Sequence, residues 1–281
     1  MLTIKKLRKK YPKNDSFQLI IDDFAIKEGS IIGLVGPNGA GKTTLLKIIV
    51  KLLYPDSGDI LFRNQNINEN LIINNISYMP GNKNLYENMT VKQMLAFASR
   101  SVPHWNNEKA EKLLSVFPLK LNKKISTLSY GEKTQLYAII TFSKNVPFII
   151  LDEPTQGLDP VMQERMLSLI KDESSEGKTI LFSSHQLNEV EASADTIAIM
   201  KSGQIVLSGI IDDLKDDLFM IVTDKDEIEV GNFDIIAKRR QGNKTILIGR
   251  KTSKPLDNNY PTMKVNLKDI FLTIIEGEVG K

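Results

Sequence analysis

The stretch Gly36-Pro-Asn-Gly39-Ala-Gly41-Lys42-Thr43-Thr44 constrains this chain more than any other. It is entered from the apolar run Ile31-Ile-Gly-Leu-Val35 and left through Leu45-Leu46-Lys-Ile48-Ile49-Val50, so it reads as strand, loop and helix. The pattern G-x-x-x-x-G-K-[ST] is built to hold a polyphosphate. Gly36, Gly39 and Gly41 let successive backbone N–H groups curl around it, Lys42 meets the β and γ phosphates, and the Thr43 hydroxyl ligates Mg²⁺. Pro37, Asn38, Ala40 and Thr44 complete the loop, and the helix that starts near Gly41 turns its positive end to the same anion. Such a loop implies nucleotide binding and leaves the reaction open, because kinases, GTPases and transporters all carry one.

With 281 residues, 41% of them hydrophobic, there is material for one large α/β domain and a small appendage. The absence of Cys excludes a disulfide framework or thiolate metal site and fits a reducing cytosol. The first ten residues are charged without a signal-peptide core, and no apolar run approaches the ~20 residues of a membrane helix. The expectation is a soluble chain able to sit on a membrane partner. A net charge of +3 predicts a mixed-sign solvated surface and no nucleic-acid partner.

Leu2 to Lys10 alternate weakly, and Phe17, Leu19 and Ile21 cleanly, which predicts two half-exposed strands around a turn at Tyr11-Pro12-Lys13-Asn14-Asp15. Tyr54-Pro55-Asp56-Ser57-Gly58 marks a turn, Asp59 to Phe62 a strand, and the residues through Asn75 an Asn-rich loop. Ile76 to Met79 is a strand, after which the period becomes helical. Thr90 caps a helix through Ser99, and Asn106 or Asn107 opens another with Ala110, Leu113, Leu114 and Phe117 on one face. Residues of about 81–145 therefore read as an inserted helical subdomain, with His104-Trp105 packing in a connecting loop. Ser129 and Glu132 have capping-box spacing and locally mark only a well-capped helix.

Pro147 to Leu151 forms a buried strand with Asp152-Glu153 at its carboxyl end, where parallel sheets place ligands. Asp159-Pro160 starts a helix that Gly177 ends. Thr179 to Phe182 is the next buried strand, with Ser183-Ser184-His185 at its carboxyl end. The alternation of strand and helix predicts a mostly parallel α/β core. From about Asp212 the character changes: apolar alternations at Phe219–Val222, Ile228–Val230 and Ile246–Ile248 and a closing helix over Leu267–Ile275 suggest a small β-rich appendage.

Taken in order, these pieces resemble the nucleotide-binding subunit of ATP-binding-cassette (ABC) transporters over about residues 1–210. Gly36 to Thr44 resembles its Walker A loop, and Phe148-Ile-Ile-Leu-Asp152-Glu153-Pro154 its Walker B strand with the catalytic glutamate. Leu128-Ser-Tyr-Gly-Glu132 is similar to the signature usually written LSGGQ, and Gln156-Gly157-Leu158-Asp159-Pro160 to the D-loop. His185 stands at the switch histidine and Tyr11 where an aromatic stacks on adenine. The spacing of the helical insert and Tyr78-Met79-Pro80 are similar to bacterial exporter subunits, in which a separate membrane protein supplies the channel.

The resemblance implies a P-loop NTPase of the ABC ATPase type: an antiparallel β subdomain, an inserted α-helical subdomain, and a small C-terminal α+β appendage over 211–281. It implies two such chains head to tail, as a homodimer or with a paralogue, each ATP lying between one chain's phosphate loop and the other's signature. Lys42 and the loop amides would neutralise the phosphates, Thr43 and Asp152 would hold Mg²⁺, Glu153 would polarise the attacking water, and His185 would contact the γ-phosphate. Ser129, Gly131, Glu132 and Asp159 would reach the nucleotide from the dimer face. An integral membrane permease would place the chain at the inner face of the cell membrane. The alternative is an ABC ATPase acting on ribosomes or DNA; such relatives usually carry two cassettes, long coiled coils or zinc ligands, and this sequence has none. Two departures stand out: Tyr130 and Glu132 replace the usual Gly and Gln of the signature, and Gly81 stands where the family's Q-loop glutamine falls.

Overall fold

The computed structural model describes residues 1–11, 14–224, 233–251 and 261–279, with the backbone alone at 14–16. Pro12 and Lys13 of the first turn and the expected alternation at Ile228–Val230 lie outside them.

The chain begins with an antiparallel pair, β1 (Leu2–Tyr11) and β2 (Asn14–Ile26), in register from Leu2 opposite Ile26 to Lys10 opposite Gln18. The weak alternation of β1 has a cause. Lys6 takes φ 51 and the pairing with β4 shifts between Lys5 and Arg8, so Leu2, Ile4 and Leu7 are the buried residues. β3 (Ile31–Val35) is buried along its whole length and runs through the phosphate loop into α1 (Lys42–Ile49). β4 (Ser57–Phe62), β5 (Gln65–Asn66), α2 (Glu69–Asn75) and β6 (Ile76–Met79) follow. The Asn-rich stretch is thus a short strand and a helix, a correction to the expected loop. Asn68 caps α2 by accepting from the Leu71 N–H at 2.9 Å, so the asparagine that favours turns here starts a helix.

Three helices, α3 (Val91–Ser101), α4 (Asn107–Val116) and α5 (Tyr130–Ser143), stand between β6 and β7 (Phe148–Asp152). Both α3 and α5 carry complete capping boxes, Thr90 with Gln93 and Ser129 with Glu132. Then come α6 (Pro160–Ser175), β8 (Thr179–Ser184), α7 (Leu187–Ser193), β9 (Thr196–Lys201) and β10 (Gln204–Ile210). In the order β6-β7-β8-β3-β9 the central strands are parallel, and the side chains of β3, β7 and β8 are buried throughout, as a sheet covered on both faces requires. β10 runs antiparallel to β9 and meets β2 through Gln204 opposite Ile20, joining both halves into one ten-stranded curled sheet. Inside the curl, Leu45, Leu46, Ile48 and Ile49 of α1 share a core with Leu2, Ile4 and Phe62 on one side and Phe148, Ile150 and Leu181 on the other.

The C-terminal part contains α8 (Ile211–Asp217), β11 (Leu218–Thr223), β12 (Phe233–Gln241), β13 (Lys244–Lys251), β14 (Thr262–Lys264), α9 (Leu267–Glu276) and β15 (Glu278–Val279). Its antiparallel sheet has the order β14-β11-β13-β12-β15. Ile211, Leu214, Ile270 and Ile274 belong to the same apolar cluster as Val190, Ile197 and Ile199. Lys201 Nζ also donates to the carbonyls of Ile274 and Gly277 at 2.8 and 2.5 Å.

One buried ionic cluster ties the helices to the core. Glu173 of α6, with its side chain 2% exposed, lies 2.5 Å from Lys109 Nζ of α4 and 2.5 Å from Lys178 Nζ just before β8.

Candidate active site

β3 delivers the chain to the phosphate loop with Gly36 buried at its root. The turn into α1 needs φ 80 at Gly39 and φ 105 at Gly41, a left-handed geometry that side chains resist. Lys42 is buried, and its Nζ donates to the carbonyls of Gly36 at 2.6 Å and Pro37 at 3.3 Å. It also lies 3.7 Å from Glu153 Oε1. Burial lowers its pKa, against the opposing pull of Glu153 and Asp152.

Beside the loop opens a cavity of about 530 Å³. Its wall is made by Pro37 to Thr44, by Tyr11 and Phe17, and by Glu153, Gln156 and His185. The rings of Tyr11 and Phe17 lie 6.1 Å apart, and Tyr11 Oη is 3.1 Å from Thr44 Oγ1, so an aromatic corner is fixed to the loop.

Asp152 ends β7 with its side chain fully buried. Its Oδ1 accepts from Thr43 Oγ1 at 3.1 Å and Ser183 Oγ at 2.7 Å. Its Oδ2 is buried without a hydrogen-bond partner among the described residues. A hydroxyl beside an orphaned carboxylate oxygen, both hard oxygen donors, fits Mg²⁺.

Glu153 follows in a left-handed conformation, φ 49, that a glutamate adopts only when its surroundings hold it there. Its N–H donates to Ser183 Oγ at 3.0 Å, and its Oε2 lies 2.7 Å from His185 Nδ1. His185 is placed in turn by the tight exit from β8. Ser184 Oγ bonds the buried carboxylate of Glu189 and accepts from the Gln186 N–H at 2.9 Å.

Of the residues of the expected signature and D-loop, Gln156 lines this cavity and the others lie outside it. Ser129 Oγ accepts from the Glu132 N–H at 3.1 Å, and the Glu132 carboxylate accepts from the Ser129 N–H at 2.8 Å. Lys123 Nζ meets both Glu132 oxygens at 2.8 Å, so the negative charge that sequence places in the signature is countered locally. Partial burial pushes the Glu132 pKa up, but the Lys123 and Ser129 bonds together hold it below the usual carboxylate range. Asp159 Oδ1 caps α6, accepting from the Val161 and Met162 N–H groups at 3.0 Å each. Gly131 packs so closely that a Cβ there would stand 2.4 Å from the Gly157 carbonyl oxygen.

Sequence reasoning singled out Gly81 in the loop after β6 but missed Lys83. Gly81 lies directly over the Asp152 carboxylate, since a Cβ on it would stand 2.8 Å from Asp152 Oδ2. Asn82 is exposed, whereas Lys83 is buried and donates to the carbonyls of Pro80 and Asp152, the latter at 3.3 Å. Burial lowers its pKa to about 8, with the charges of Asp152 and Glu153 opposing the fall. Tyr130 Oη is 2.8 Å from the Gly81 carbonyl and 2.8 Å from Gln156 Oε1. Burial, then Asp152 and Glu153, raise the Tyr130 pKa, which keeps the phenol protonated as a donor. Ser183 and Glu189 carry no motif of their own; only the bonds of Ser183 to Asp152 and Glu153, and of Glu189 to Ser184 beside His185, point to them.

The family model for ABC transporters matches residues 21–156. The ABC transporter ATP-binding protein YtrB of Bacillus subtilis is 33% identical, over 79% of this chain and 76% of its own length. Among solved structures, an ATP-binding subunit of an ABC transporter superposes with a TM-score of 0.67 at 27% identity, covering 77% of this chain and 92% of that one. The dimeric post-hydrolysis cassette MJ0796, bound to ADP and Pi, shares the fold with a TM-score of 0.65 at 23% identity, over 75% of this chain and 98% of its own. Phosphate loop, buried aspartate, Glu153–His185 pair and relatives agree: this chain belongs to the ABC family, as an ATP-binding ATPase subunit of the bacterial transporter type.

Proposed function

We propose that this subunit closes head to tail on a second copy or a paralogue around ATP, and that hydrolysis releases the pair to drive export through a separate membrane-spanning partner. The observation that carries this reading is the division of the site. The phosphate loop, Glu153 and His185 line one cavity, whereas Ser129 and its helix N-terminus stand apart from it. One chain therefore holds the triphosphate but lacks the donors of its own signature. The MJ0796 cassette is itself described as dimeric, which supports the same arrangement.

In this reading Tyr11 and Phe17 receive the adenine, and the loop from Gly36 to Thr44 cradles the phosphates. Lys42, whose Nζ already faces the loop carbonyls, transfers its hydrogen bonds to the β and γ phosphates. Thr43 and Asp152 would hold Mg²⁺, which would neutralise phosphate charge there. Glu153 accepts the proton of the attacking water. His185 donates from Nδ1 to Glu153 and so turns its other nitrogen to the γ-phosphate. Ser129, Gly131 and Glu132 reach that phosphate from the partner, with Asp159 at the same interface. Restraint of both loops by buried partners holds these groups in place before nucleotide arrives.

No helix of the described residues is long and apolar enough to cross a membrane; in this reading a permease supplies the channel. A shallow groove lined by Leu85, Tyr86, Met94, Tyr137 and Ile140, beside the exposed pair Tyr86 and Phe97, offers it an apolar seat. The chain then works at the cytoplasmic face of the membrane, with residues 1–210 as the ATPase unit, about 81–145 as its helical part, and 211–281 as an accessory domain. Action on ribosomes or DNA has no comparable feature in its favour.

Glu153→Gln keeps the side-chain shape and removes the proton acceptor. Turnover is expected to fall by about 10²-fold or more while an ATP-bound dimer accumulates on size exclusion. A variant that stays monomeric with ATP, or turns over near wild type, refutes the assignment. Co-purification of the intact chain with a membrane protein, against co-purification with ribosomes, separates the two functional readings.

A further inference from the structure

Tyr130 stands where the family's signature carries a glycine, and its side chain does not point idly at solvent. Its ring packs on the backbone of Gly157: a Cβ at that residue would fall 2.4 Å from Tyr130 Cδ1, and Gly157 adopts φ 77 there. Its hydroxyl spans two acceptors from two other loops, the Gly81 carbonyl and Gln156 Oε1, each at 2.8 Å. A phenol has one proton, so it serves one of these at a time, unless the Gln156 amide turns over and offers its NH₂ to the phenol oxygen. Each acceptor belongs to this chain's own site. Gly81 lies against Asp152 Oδ2, and Gln156 lines the nucleotide cavity. Thr134 Oγ1 reinforces the attachment, reaching the Gln156 carbonyl at 3.2 Å one turn further along α5.

We propose that Tyr130 is a positioning residue that couples the two nucleotide sites of the dimer. Its hydroxyl ties the N-terminus of α5, where Ser129 serves the partner's nucleotide, to Gly81 and Gln156 beside this chain's own. The inference rests on the head-to-tail dimer proposed above. A nucleotide that draws Gln156 toward itself frees the phenol proton for Gly81 and resets the end of α5 by a change of hydrogen-bond partner. Occupancy of one site is thereby felt at the other. A glycine at position 130 has no side chain with which to make this link.

The test is Tyr130→Phe, which retains the ring on Gly157 and removes only the hydroxyl. ATPase rate is measured against ATP concentration for wild type and variant, with nucleotide affinity of the monomer measured separately by titration at low protein concentration. The expected result is a sigmoid curve for both, because closure needs two ATP-bound chains, with a lower Hill coefficient in the variant. Its maximal rate should be about fivefold lower, the size of one lost neutral hydrogen bond, with monomer affinity unchanged. A merely structural role would lower the rate without changing the Hill coefficient. A Hill coefficient equal to or above that of wild type overturns the coupling. If Tyr130→Phe does not fold, Gln156→Met removes the second acceptor and must lower the Hill coefficient in the same way. A Glu153→Gln chain that remains monomeric with ATP removes the dimer reading and this inference together. A chain that dimerises while Tyr130→Phe keeps the wild-type curve shape removes this inference alone.

Discussion

The Lys123–Glu132 pair gives a prediction with a sign. Glu132 lies at the helix end that, in the proposed dimer, faces the partner's γ-phosphate, and Lys123 meets both of its oxygens at 2.8 Å. Glu132→Gln keeps the cap, because an amide oxygen still accepts the Ser129 N–H, but leaves the Lys123 charge uncompensated. Lys123→Ala does the reverse and leaves the carboxylate bare. For one unit charge about 8 Å from a doubly charged phosphate in an aqueous interface, Coulomb's law gives roughly 0.4 kcal/mol with salt screening and roughly 1 kcal/mol without it, about a two- to sixfold change in affinity. The assay is the dissociation constant of the ATP-driven dimer in a Glu153→Gln background, by analytical ultracentrifugation at low and high salt. Glu132→Gln should tighten the dimer, Lys123→Ala should loosen it, and the two should converge as salt rises. The side chains are 32% and 29% exposed, so the ion pair itself contributes only about 0.5–1 kcal/mol to stability and the melting point should fall by roughly 2 °C. If both variants move the dimer in the same direction, or the difference survives high salt, the argument that Lys123 offsets the signature glutamate is wrong.

Three further outcomes are expected. Lys144, buried and donating to the Ile76 carbonyl at 2.7 Å, has its pKa lowered by burial from 10.5 to about 8. Between these values the unfolded chain holds the extra proton, so stability should rise with pH from about 8 to 10, on the order of 1–3 kcal/mol. Lys83 is lowered to the same range and contributes a like slope, so denaturant titrations should show the rise reduced, not abolished, in Lys144→Met. Gly81→Ala places a Cβ 2.8 Å from Asp152 Oδ2, so it should destabilise by about 1–3 kcal/mol and raise the Mg²⁺ needed for half-maximal ATPase rate. Gly81→Gln should act in the same direction despite restoring the family's usual residue; a lower Mg²⁺ requirement would count against the steric argument. A chain ended at Ile210 loses Ile211, Leu214, Ile270 and Ile274 from a core shared with Val190, Ile197 and Ile199, and light scattering should show it aggregating where the full chain does not.

The phosphate loop was legible because its chemistry is local: the glycines, Lys42 and Thr43 act through backbone shape and neighbours in sequence. The buried strands ending in Asp152 and Ser184 were legible for a similar reason, since parallel strands covered on both faces read as unbroken apolar runs. Asn68 to Asn75 misled, because asparagine marks turns by propensity while the fold uses it as a helix cap. The loop after Met79 was opaque in another way. Nothing in Gly81-Asn82-Lys83 says that the lysine, not the asparagine, turns inward; the carbonyls of Pro80 and Asp152 decide it. Tyr130 reads as a blemish in a signature until its two acceptors, one 49 residues earlier and one 26 later, are in place.

Glu173 is clamped between Lys109 and Lys178, all three largely buried. Removing the carboxylate would leave two ammonium groups facing each other out of water, a far greater cost than losing one surface pair. The cluster therefore works as a rivet: α4 cannot part from α6 and the edge of β8 without stranding ammonium groups that have no other carboxylate so deeply buried to meet.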